Sequence, residues 1–244
     1  MTTGRARPGS IDLARYRRVV ALTGAGISVA SGLRPYRGPG GLWEEGDTAK
    51  SADAEALARD PRSVWKLFGG MRAVARAARP SAAHEALARA EQVVGGALTI
   101  LTQNVDGLHQ RAGSSRVVEI HGSLFRTRCT RCDAPAFADE SPHDEVPACA
   151  ACGALLRPDV VLFGEPLPVD AEWHAKHALR DCDLFLAIGT SGTVDPAARF
   201  VRWAEFEGAR TVLVNLEPMT PPSAAFREQV LGPADEVVPG LLGV

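Results

Sequence analysis

The chain has 244 residues, a formal net charge of −2 and a hydrophobic fraction of 45%. This length suits one large domain with a sizeable core, and this composition argues against disorder. The nearly balanced charge disfavours a general nucleic-acid binder, and no apolar run approaches the ~18 residues of a transmembrane helix.

The chain begins with a tail, residues 1–11. Five arginines near this end are interpreted as a solvated tail and helix face, with an arm for an anionic partner as the alternative: Arg5, Arg7, Arg15, Arg17 and Arg18. This end has no signal-peptide hydrophobic region, so the sequence predicts a cytoplasmic protein. The first apolar run, residues 19–24, leads into a glycine turn that begins like a dinucleotide-binding fingerprint. Val29 stands where that fingerprint has its third glycine, and no strand with an acidic end follows about 20 residues later. This break argues against a dehydrogenase.

Further apolar runs rich in β-branched residues predict buried strands, separated by segments with helical periodicity. The predicted strands are residues 19–24, 97–104, 117–122, 159–165, 183–192 and 211–218. The predicted helices are residues 82–94, 169–181 and 195–208. Ser81 can cap the first of these helices. The alternation is typical of a doubly wound parallel sheet in an α/β fold, and residues 38–80 and 125–157 interrupt it as insertions that form a smaller lobe.

Paired cysteines in the second insertion predict a metal site. They are Cys129, Cys132, Cys149 and Cys152, with sixteen residues between the two C-x-x-C pairs. Four thiolates complete a tetrahedral shell, so the pattern predicts a structural zinc ion with no open coordination position. Two disulfides are the alternative, which the missing export signal disfavours. A nucleic-acid-binding zinc ribbon, or a non-enzymatic binding module of that kind, is disfavoured by the acidic residues between the pairs and by the polar residues described next.

Polar side chains follow four predicted strands, at the edge of a parallel sheet where ligands bind. They lie in Gln103-Asn104-Val105-Asp106, His121-Gly122, Gly189-Thr190-Ser191-Gly192 and Asn215-Leu216-Glu217. Glycine turns can approach phosphate through their N–H groups, and Glu217 is a candidate for the missing ribose acid. Of six histidines, only His121 ends a strand directly before a glycine. As a neutral imidazole it can take a proton from a ribose hydroxyl, and a core histidine is the alternative.

Together these motifs resemble one family, the sirtuins, which are NAD-dependent protein-lysine deacylases. The matches, in the family's order, are GAGIS (24–28), SGLRPYRGPGGLW (31–43), TQNVDGLH (102–109), EIHGS (119–123), the paired cysteines, RPDVVLFGE (157–165), GTSGTV (189–194) and NLEP (215–218). The resemblance covers roughly residues 12–242 and is greatest to bacterial members. It implies one catalytic domain, residues 12–244, with a cleft between two lobes. Its parts would be a Rossmann-like large lobe (12–37, 81–124 and 158–244), a helical module (38–80) and a zinc module (125–157).

The resemblance also implies which residues act in the cleft. NAD, consumed as a co-substrate, would contact Gly24, Ala25, Gly26, Ser28, Tyr36, Arg37, Trp43, Gln103, Asn104, Val105, Asp106, Gly189, Thr190, Ser191, Asn215, Leu216, Glu217 and Ala234. The catalytic residues would be His121, Asn104 and Asp106, with His121 as general base on a ribose hydroxyl after nicotinamide leaves. An extended acyl-lysine peptide would lie against Val161, Phe163, Gly164 and Glu165 by strand addition. The products would be nicotinamide, free lysine and O-acyl-ADP-ribose.

Two departures from the family pattern concern this cleft. Tyr36 stands where the family usually has phenylalanine, and its hydroxyl needs a partner. Members that prefer succinyl- or malonyl-lysine bind the acyl carboxylate with a Tyr-x-x-Arg pair. Here Arg72 aligns with the arginine but Gly69 with the tyrosine, so Arg72 is either a substrate contact or a surface residue. Deacetylation is therefore expected, with desuccinylation, demalonylation or protein mono-ADP-ribosylation as alternatives, and we expect no membrane or nucleic-acid partner.

Overall fold

The computed structural model describes residues 9–38, 40–44 and 48–244, and its large lobe is built on a parallel sheet. The strands of this sheet in the described part of the chain are β1 (Val19–Thr23), β2 (Leu98–Thr102), β3 (Val117–Glu119), β7 (Leu184–Ile188), β8 (Arg210–Asn215) and β9 (Glu228–Leu231). Their order is β3-β2-β1-β7-β8-β9, and every neighbouring pair is parallel. The order reverses between β1 and β7, as in a doubly wound Rossmann-like fold. The predicted α/β fold class is confirmed.

The central strand is buried on both faces, as its uninterrupted apolar run predicts. Val19 and Ala21 lie in one core layer, and Val20 and Leu22 lie in the other. The helices of the large lobe are α4 (Ala82–Val93), α5 (Leu108–Arg111), α6 (Val169–Leu179), α7 (Phe200–Phe206) and α8 (Ala234–Leu242). Helices α4 and α8 contribute to the first layer, while α6 and α7 contribute to the second. The sheet is thus covered on both sides.

The small lobe combines a helical part with a small antiparallel sheet. The helices described are α1 (Thr48–Ser51), α2 (Ala54–Arg59) and α3 (Pro61–Ala77), and the strands are β4 (Gly122–Cys129), β5 (Phe137–Ala138) and β6 (Leu156–Val160). The strand order is β5-β4-β6. One apolar cluster joins α3 to both long strands of this sheet through Val64, Phe68, Leu124 and Val160. The helical part and the sheet therefore share a core.

The prediction of a parallel-sheet strand at residues 159–165 is wrong. The strand there, β6, ends at Val160 and pairs with β4 in the antiparallel sheet. Its apolar residues are buried by the core of the small lobe, and an apolar run does not reveal which sheet it joins. Three of the described strands were not predicted, β4, β5 and β9. In the edge strand β9 only Val230 is buried, so its apolar pattern is short.

Within the described residues, no helix is both long and apolar enough to cross a membrane.

Candidate active-site cleft

A cleft with a volume of about 1240 Å³ lies between the carboxyl edge of the large sheet and the small lobe. It adjoins the reversal point of the sheet, where ligands of doubly wound folds bind. The predicted residues that line it are Gly24, Ala25, Gly26, Tyr36, Arg37, Trp43, Gln103, Asn104, Val105, His121, Val161, Phe163, Gly164, Glu165, Gly189, Thr190, Ser191, Asn215, Leu216, Glu217 and Ala234. Ser28, Asp106 and Arg72 are not among the lining residues. Residues far apart in the chain thus converge on one cleft.

The floor of the cleft is a backbone contact between the loops after β1 and β7. Gly26 N donates to Gly189 O at 2.9 Å, and Gly24 N donates to Ile188 O at 3.0 Å. A Cβ on Gly26 would lie 2.6 Å from Gly189 Cα. Gly189 has φ +62°, and a Cβ there would lie 2.5 Å from Ile27 N. The glycines are therefore required because two backbones meet there.

Asn104 and its partners form a polar wall on the cleft. Asn104 Nδ2 donates to Gly24 O and to Ser28 Oγ, both at 3.1 Å. Ser28 Oγ in turn donates to Asp106 at 2.8 Å, and the other oxygen of Asp106 accepts from Leu108 N at 2.9 Å. Burial raises the pKa of Asp106, although these two hydrogen bonds lower it. Asn104 Oδ1 is buried and has no hydrogen-bond partner among the described residues.

Two buried histidines support this wall from behind, and sequence reasoning assigned them no role. Ser81 and His84 form a capping box at the start of α4, where Ser81 N donates to His84 Nδ1 at 3.2 Å. The proton of His84 is therefore on Nε2, which lies 3.5 Å from Ser28 Oγ. Burial lowers the pKa of His84 to about 4 and that of His109 well below its usual value. Both imidazoles are neutral, with ring centroids 4.7 Å apart. The sequence signal for this role was the position of His84, three residues after the capping Ser81, which is the spacing of a capping box.

His121 is held as a neutral base. Its Nδ1 lies 3.0 Å from Gln103 O, and a carbonyl oxygen only accepts, so Nδ1 carries the proton. Nε2 is then unprotonated and carries the lone pair that can accept a proton. Burial lowers the pKa of His121, which outweighs the opposite effect of the bond to Gln103 O. The imidazole is therefore ready to accept a proton near neutral pH.

An aromatic row crosses the mouth of the cleft. Tyr36 stacks on Trp43 with ring centroids 5.2 Å apart and planes at 11°, and Trp43 meets Phe163 edge-on at 5.5 Å. Burial, followed by the charge of Asp106, raises the pKa of the Tyr36 phenol. The phenol therefore stays protonated. The row joins the loop after β1 to the segment predicted to bind peptide.

That predicted peptide segment is anchored to both lobes through its backbone. Val161 N donates to His121 O at 2.9 Å, and Phe163 N donates to Ala52 O at 2.9 Å. The carboxylate of Glu165 accepts from both terminal nitrogens of Arg157, and it accepts from Leu162 N at 2.9 Å. These bonds lower the pKa of Glu165 although burial raises it. The side chain of Glu165 thus braces its own loop.

Arg72 joins the helical part of the small lobe to its sheet. It is buried, with 5% exposure, and donates from Nε to Leu124 O at 2.7 Å and from Nη1 to Ser141 O at 3.0 Å. Nη1 also lies 3.6 Å from Asp139. These bonds hold the guanidinium within the small lobe, and its burial contradicts the surface-residue alternative. The role as a substrate contact stays a prediction. On the same helix Phe68 and Met71, four residues and one residue before Arg72, line the cleft.

The cysteine cluster has the geometry of a structural zinc site. The Sγ atoms of Cys129 and Cys152 lie 3.5 Å apart, those of Cys132 and Cys149 lie 3.7 Å apart, and the four lie within 4.8 Å of one another. Zn–S bonds of about 2.3 Å in a tetrahedron place sulfurs about 3.8 Å apart. The N–H groups of Arg131 and Cys132 also point at Cys129 Sγ. The four cysteines of this cluster are free thiols and would hold the zinc ion. Cys182 lies outside this cluster and is buried in the core of the large lobe.

Comparison with known proteins agrees with this geometry. The sequence profile of the Sir2 family matches residues 24–196. NAD-dependent protein deacylase 2 of Pyrobaculum aerophilum is 48% identical, over 94% of this chain and 92% of its own. A Sir2 homolog solved as an NAD complex is 36% identical with a TM-score of 0.86, over 96% of this chain and 94% of that one. A Sir2 variant solved with a deacetylated p53 peptide and 3′-O-acetyl ADP ribose is 31% identical with a TM-score of 0.83, over 95% of this chain and 94% of that one. The chain belongs to the Sir2 family.

Proposed function

We propose that this chain is an NAD-dependent protein-lysine deacylase, chiefly a deacetylase, that yields nicotinamide, free lysine and O-acetyl-ADP-ribose. The observation that carries the proposal is His121, a neutral imidazole on the cleft wall whose Nδ1 is tied to Gln103 O. The relatives named above support it, since one is named as a deacylase and others were solved with NAD or with an acetylated nucleotide product.

The described residues fit NAD as co-substrate. The glycine turns at residues 24–26 and 189 line the cleft, where backbone N–H groups suit phosphates, and Asn104 lines it beside them. Glu217 lines the other end of the cleft beyond β8, where a carboxylate suits ribose hydroxyls. When bound, NAD supplies the ADP-ribosyl group that receives the acyl chain.

The protein's own groups accept the proton, position Asn104, exclude water and bind the peptide. His121 accepts a proton at Nε2 from a ribose hydroxyl. Ser28 and Asp106 act from behind the wall, because they fix the amide of Asn104 rather than line the cleft. The aromatic row of Tyr36, Trp43 and Phe163 excludes water from the reacting centre. The backbone of residues 161–165 is the proposed site for the extended peptide.

One incubation tests the function against its alternatives. The protein is mixed with NAD and an acetyl-lysine peptide, and the peptide and nucleotide products are identified by mass spectrometry. We expect equal amounts of free-lysine peptide, nicotinamide and O-acetyl-ADP-ribose. ADP-ribose attached to protein, with the acetyl group still on the peptide, would identify a mono-ADP-ribosyltransferase instead. If NAD is not consumed at all, the chain is a non-enzymatic binding module.

We also propose that residues 12–244 form one catalytic domain whose partners are acyl-lysine proteins or peptides, with neither membrane nor nucleic acid involved. Helices α1 to α3 fall inside the proposed helical module, residues 38–80. The zinc-bearing sheet, residues 122–160, extends slightly beyond the expected limits of 125–157. The five free thiols support a reducing compartment, and we propose the cytoplasm.

A further inference from the structure

The outer surface of helices α6 and α7 exposes large aromatic side chains. Trp173 on α6 is 58% exposed, and Trp203 and Phe206 on α7 are 37% and 90% exposed. These three side chains, which we call the aromatic patch, do not line the cleft. Trp203 and Phe206 are three residues apart and therefore share one face of α7. A group of large apolar side chains exposed together is typical of a surface that binds a partner.

Two ring contacts join the patch across the two helices. The ring of Trp173 stacks on that of His177, with centroids 5.3 Å apart and planes at 2°. Lys176, the residue before His177, places its Nζ 5.9 Å from the centre of the Trp203 ring. Helices α6 and α7 bury their other sides in the same core layer. The aromatic side chains therefore belong to one surface that spans both helices.

Helix α6 turns its largest apolar side chain outward and its smallest ones inward. Its buried side chains are Ala171, Ala175, Ala178 and Leu179, whereas Trp173 is exposed. Burial of an aromatic ring removes more apolar area from water than burial of an alanine does. Trp173 thus adds little to the core of this chain, and its ring is available for burial against a second molecule.

The charges beside the patch make the surface complementary to itself. Helix α6 has acidic residues in its first turn and basic residues in its last turn. On α7 the order is reversed, because the exposed Arg202 precedes the exposed Glu205. A helix dipole favours acidic residues at the start and basic residues at the end, so it does not explain the order on α7. Opposite charges at the two ends of each helix do suit an antiparallel copy of the same surface.

We propose that the aromatic patch is the centre of a twofold interface with a second copy of this chain, in which α6 and α7 each lie antiparallel to the same helix of the partner. The first turn of α6 then faces the oppositely charged last turn of the partner helix. Arg202 faces the partner's Glu205, and the two Trp173 rings lie beside the twofold axis. A symmetric interface requires such a self-complementary surface, whereas binding of a different protein does not.

Sedimentation velocity over a range of concentrations tests this interface. We expect the mass of the native protein to rise from the 25.8 kDa of one chain toward twice that value between about 1 and about 200 µM. A mass that stays at one chain throughout would overturn the inference. The deacylase proposal is independent of this result, because the aromatic patch lies outside the cleft.

A pair of variants tests the role of the aromatic patch. Phe206→Ser should raise the dimer dissociation constant by at least about tenfold, because a symmetric dimer loses the ring twice. Its far-UV circular dichroism should stay native, since Phe206 is exposed. Val93→Ser is the matched control. Val93 is also exposed, but it lies on α4, which covers the other side of the sheet, so dimerisation should be unchanged. Equal weakening by both substitutions would contradict the assignment to the patch.

Charge reversal on α7 tests the antiparallel arrangement. Glu205→Arg places an arginine against the partner's Arg202 and should weaken dimerisation by about tenfold. Adding Arg202→Glu to the same chain restores opposite charges across the interface, so the dissociation constant should return to within about threefold of the native value. Native dimerisation by the single variant, or the absence of recovery in the double variant, would overturn this arrangement.

Discussion

At the scale of single residues, the tautomer of His121 decides what the ring can do. The bond from Nδ1 to Gln103 O turns the other nitrogen into an acceptor and fixes the ring plane. Burial then keeps the ring neutral by lowering its pKa. A histidine with the opposite tautomer would present a donor to the ribose and could not act as its base.

His121→Asn should therefore lose deacetylation by roughly 10²-fold or more, the usual contribution of a general base. NAD binding should persist, because the glycine floor and Asn104 do not depend on the ring. Steady-state kinetics and calorimetric titration with NAD measure the two quantities. Native turnover by this variant would exclude His121 as the base.

The pH profile of the native enzyme offers an independent check on His121. Because its pKa lies below the usual value of about 6.5, the neutral ring persists as the pH falls through that value. We expect kcat/KM to stay level from pH 8 to about 6.5 and to decline only at lower pH. A decline centred above pH 7 would contradict the buried, neutral state of the ring.

At the scale of elements, helix starts and strand-end loops hold the cleft in shape. The first turn of α4 carries His84 into the polar wall, and the loops after β1 and β7 meet backbone to backbone at Gly189. Each arrangement restricts the residue that makes it. His84 must stay uncharged because it is buried, and Gly189 cannot take a Cβ because the facing backbone is too close.

The start of α4 should make stability depend on pH. The pKa of His84 is about 4 in the folded state and about 6.5 when unfolded, so the unfolded chain binds more protons between these values. Stability is complete above pH 6.5 and is lost as the pH falls toward 4. Between pH 7.5 and 5.0 the native protein should lose about 2 kcal/mol more than His84→Gln, in which glutamine preserves the capping box without titrating.

Urea unfolding at the two pH values measures this difference. His174→Gln serves as the matched control, because His174 is exposed on α6, away from the capping box. An identical loss of stability in native protein and His84→Gln would refute the assignment.

The contact between loops predicts a sharp glycine requirement. Gly189→Ala combines a left-handed φ with a Cβ only 2.5 Å from Ile27 N, so the loop after β1 must shift and NAD affinity should fall by at least about tenfold. Gly113→Ala is the matched control. Its φ is also positive, at +100°, but its Cβ meets nothing within 4 Å. We expect it to lose about 1 kcal/mol of stability and no NAD affinity in calorimetric titration.

At the scale of the whole molecule, the cysteine cluster and the cleft are joined through α3. Trp65 packs on Cys129 and Cys149 and donates from Nε1 to Leu156 O at 3.0 Å. Three residues further along the same helix, Phe68 lines the cleft. Helix α3 therefore contacts the cysteine cluster and the cleft at once.

Metal analysis should find one zinc ion per chain, and Cys149→Ser should lower stability by several kcal/mol, since the binding free energy of a structural site is also folding free energy. Deacetylation should fall with it because α3 loses its support. Cys182→Ala removes a buried thiol outside the cluster and should keep the zinc. Unchanged thermal stability and activity in a zinc-free Cys149→Ser protein would refute the structural role.

Much of the site was predictable because its signals are local. The spacing of Cys129, Cys132, Cys149 and Cys152 specifies a tetrahedral thiolate site without any tertiary information. Continuous apolar runs ending in polar residues placed Asn104, His121 and Glu217 at one sheet edge, because parallel strands share that edge. The glycines at 24, 26 and 189 followed from the same turns.

Other features depended on contacts between distant segments, which a linear pattern does not contain. The strand ending at Val160 joined the small sheet because its partner is β4 rather than β2 or β7. Ser28 and Asp106 lie behind Asn104, and His84 behind Ser28, because three chain segments pack there. The rotation of α3, set by packing of Trp65 and Arg72 on the zinc-bearing sheet, turned Met71 rather than Arg72 toward the cleft. A turn of about 100° per residue separates these two outcomes, and only burial against a neighbouring element selects between them.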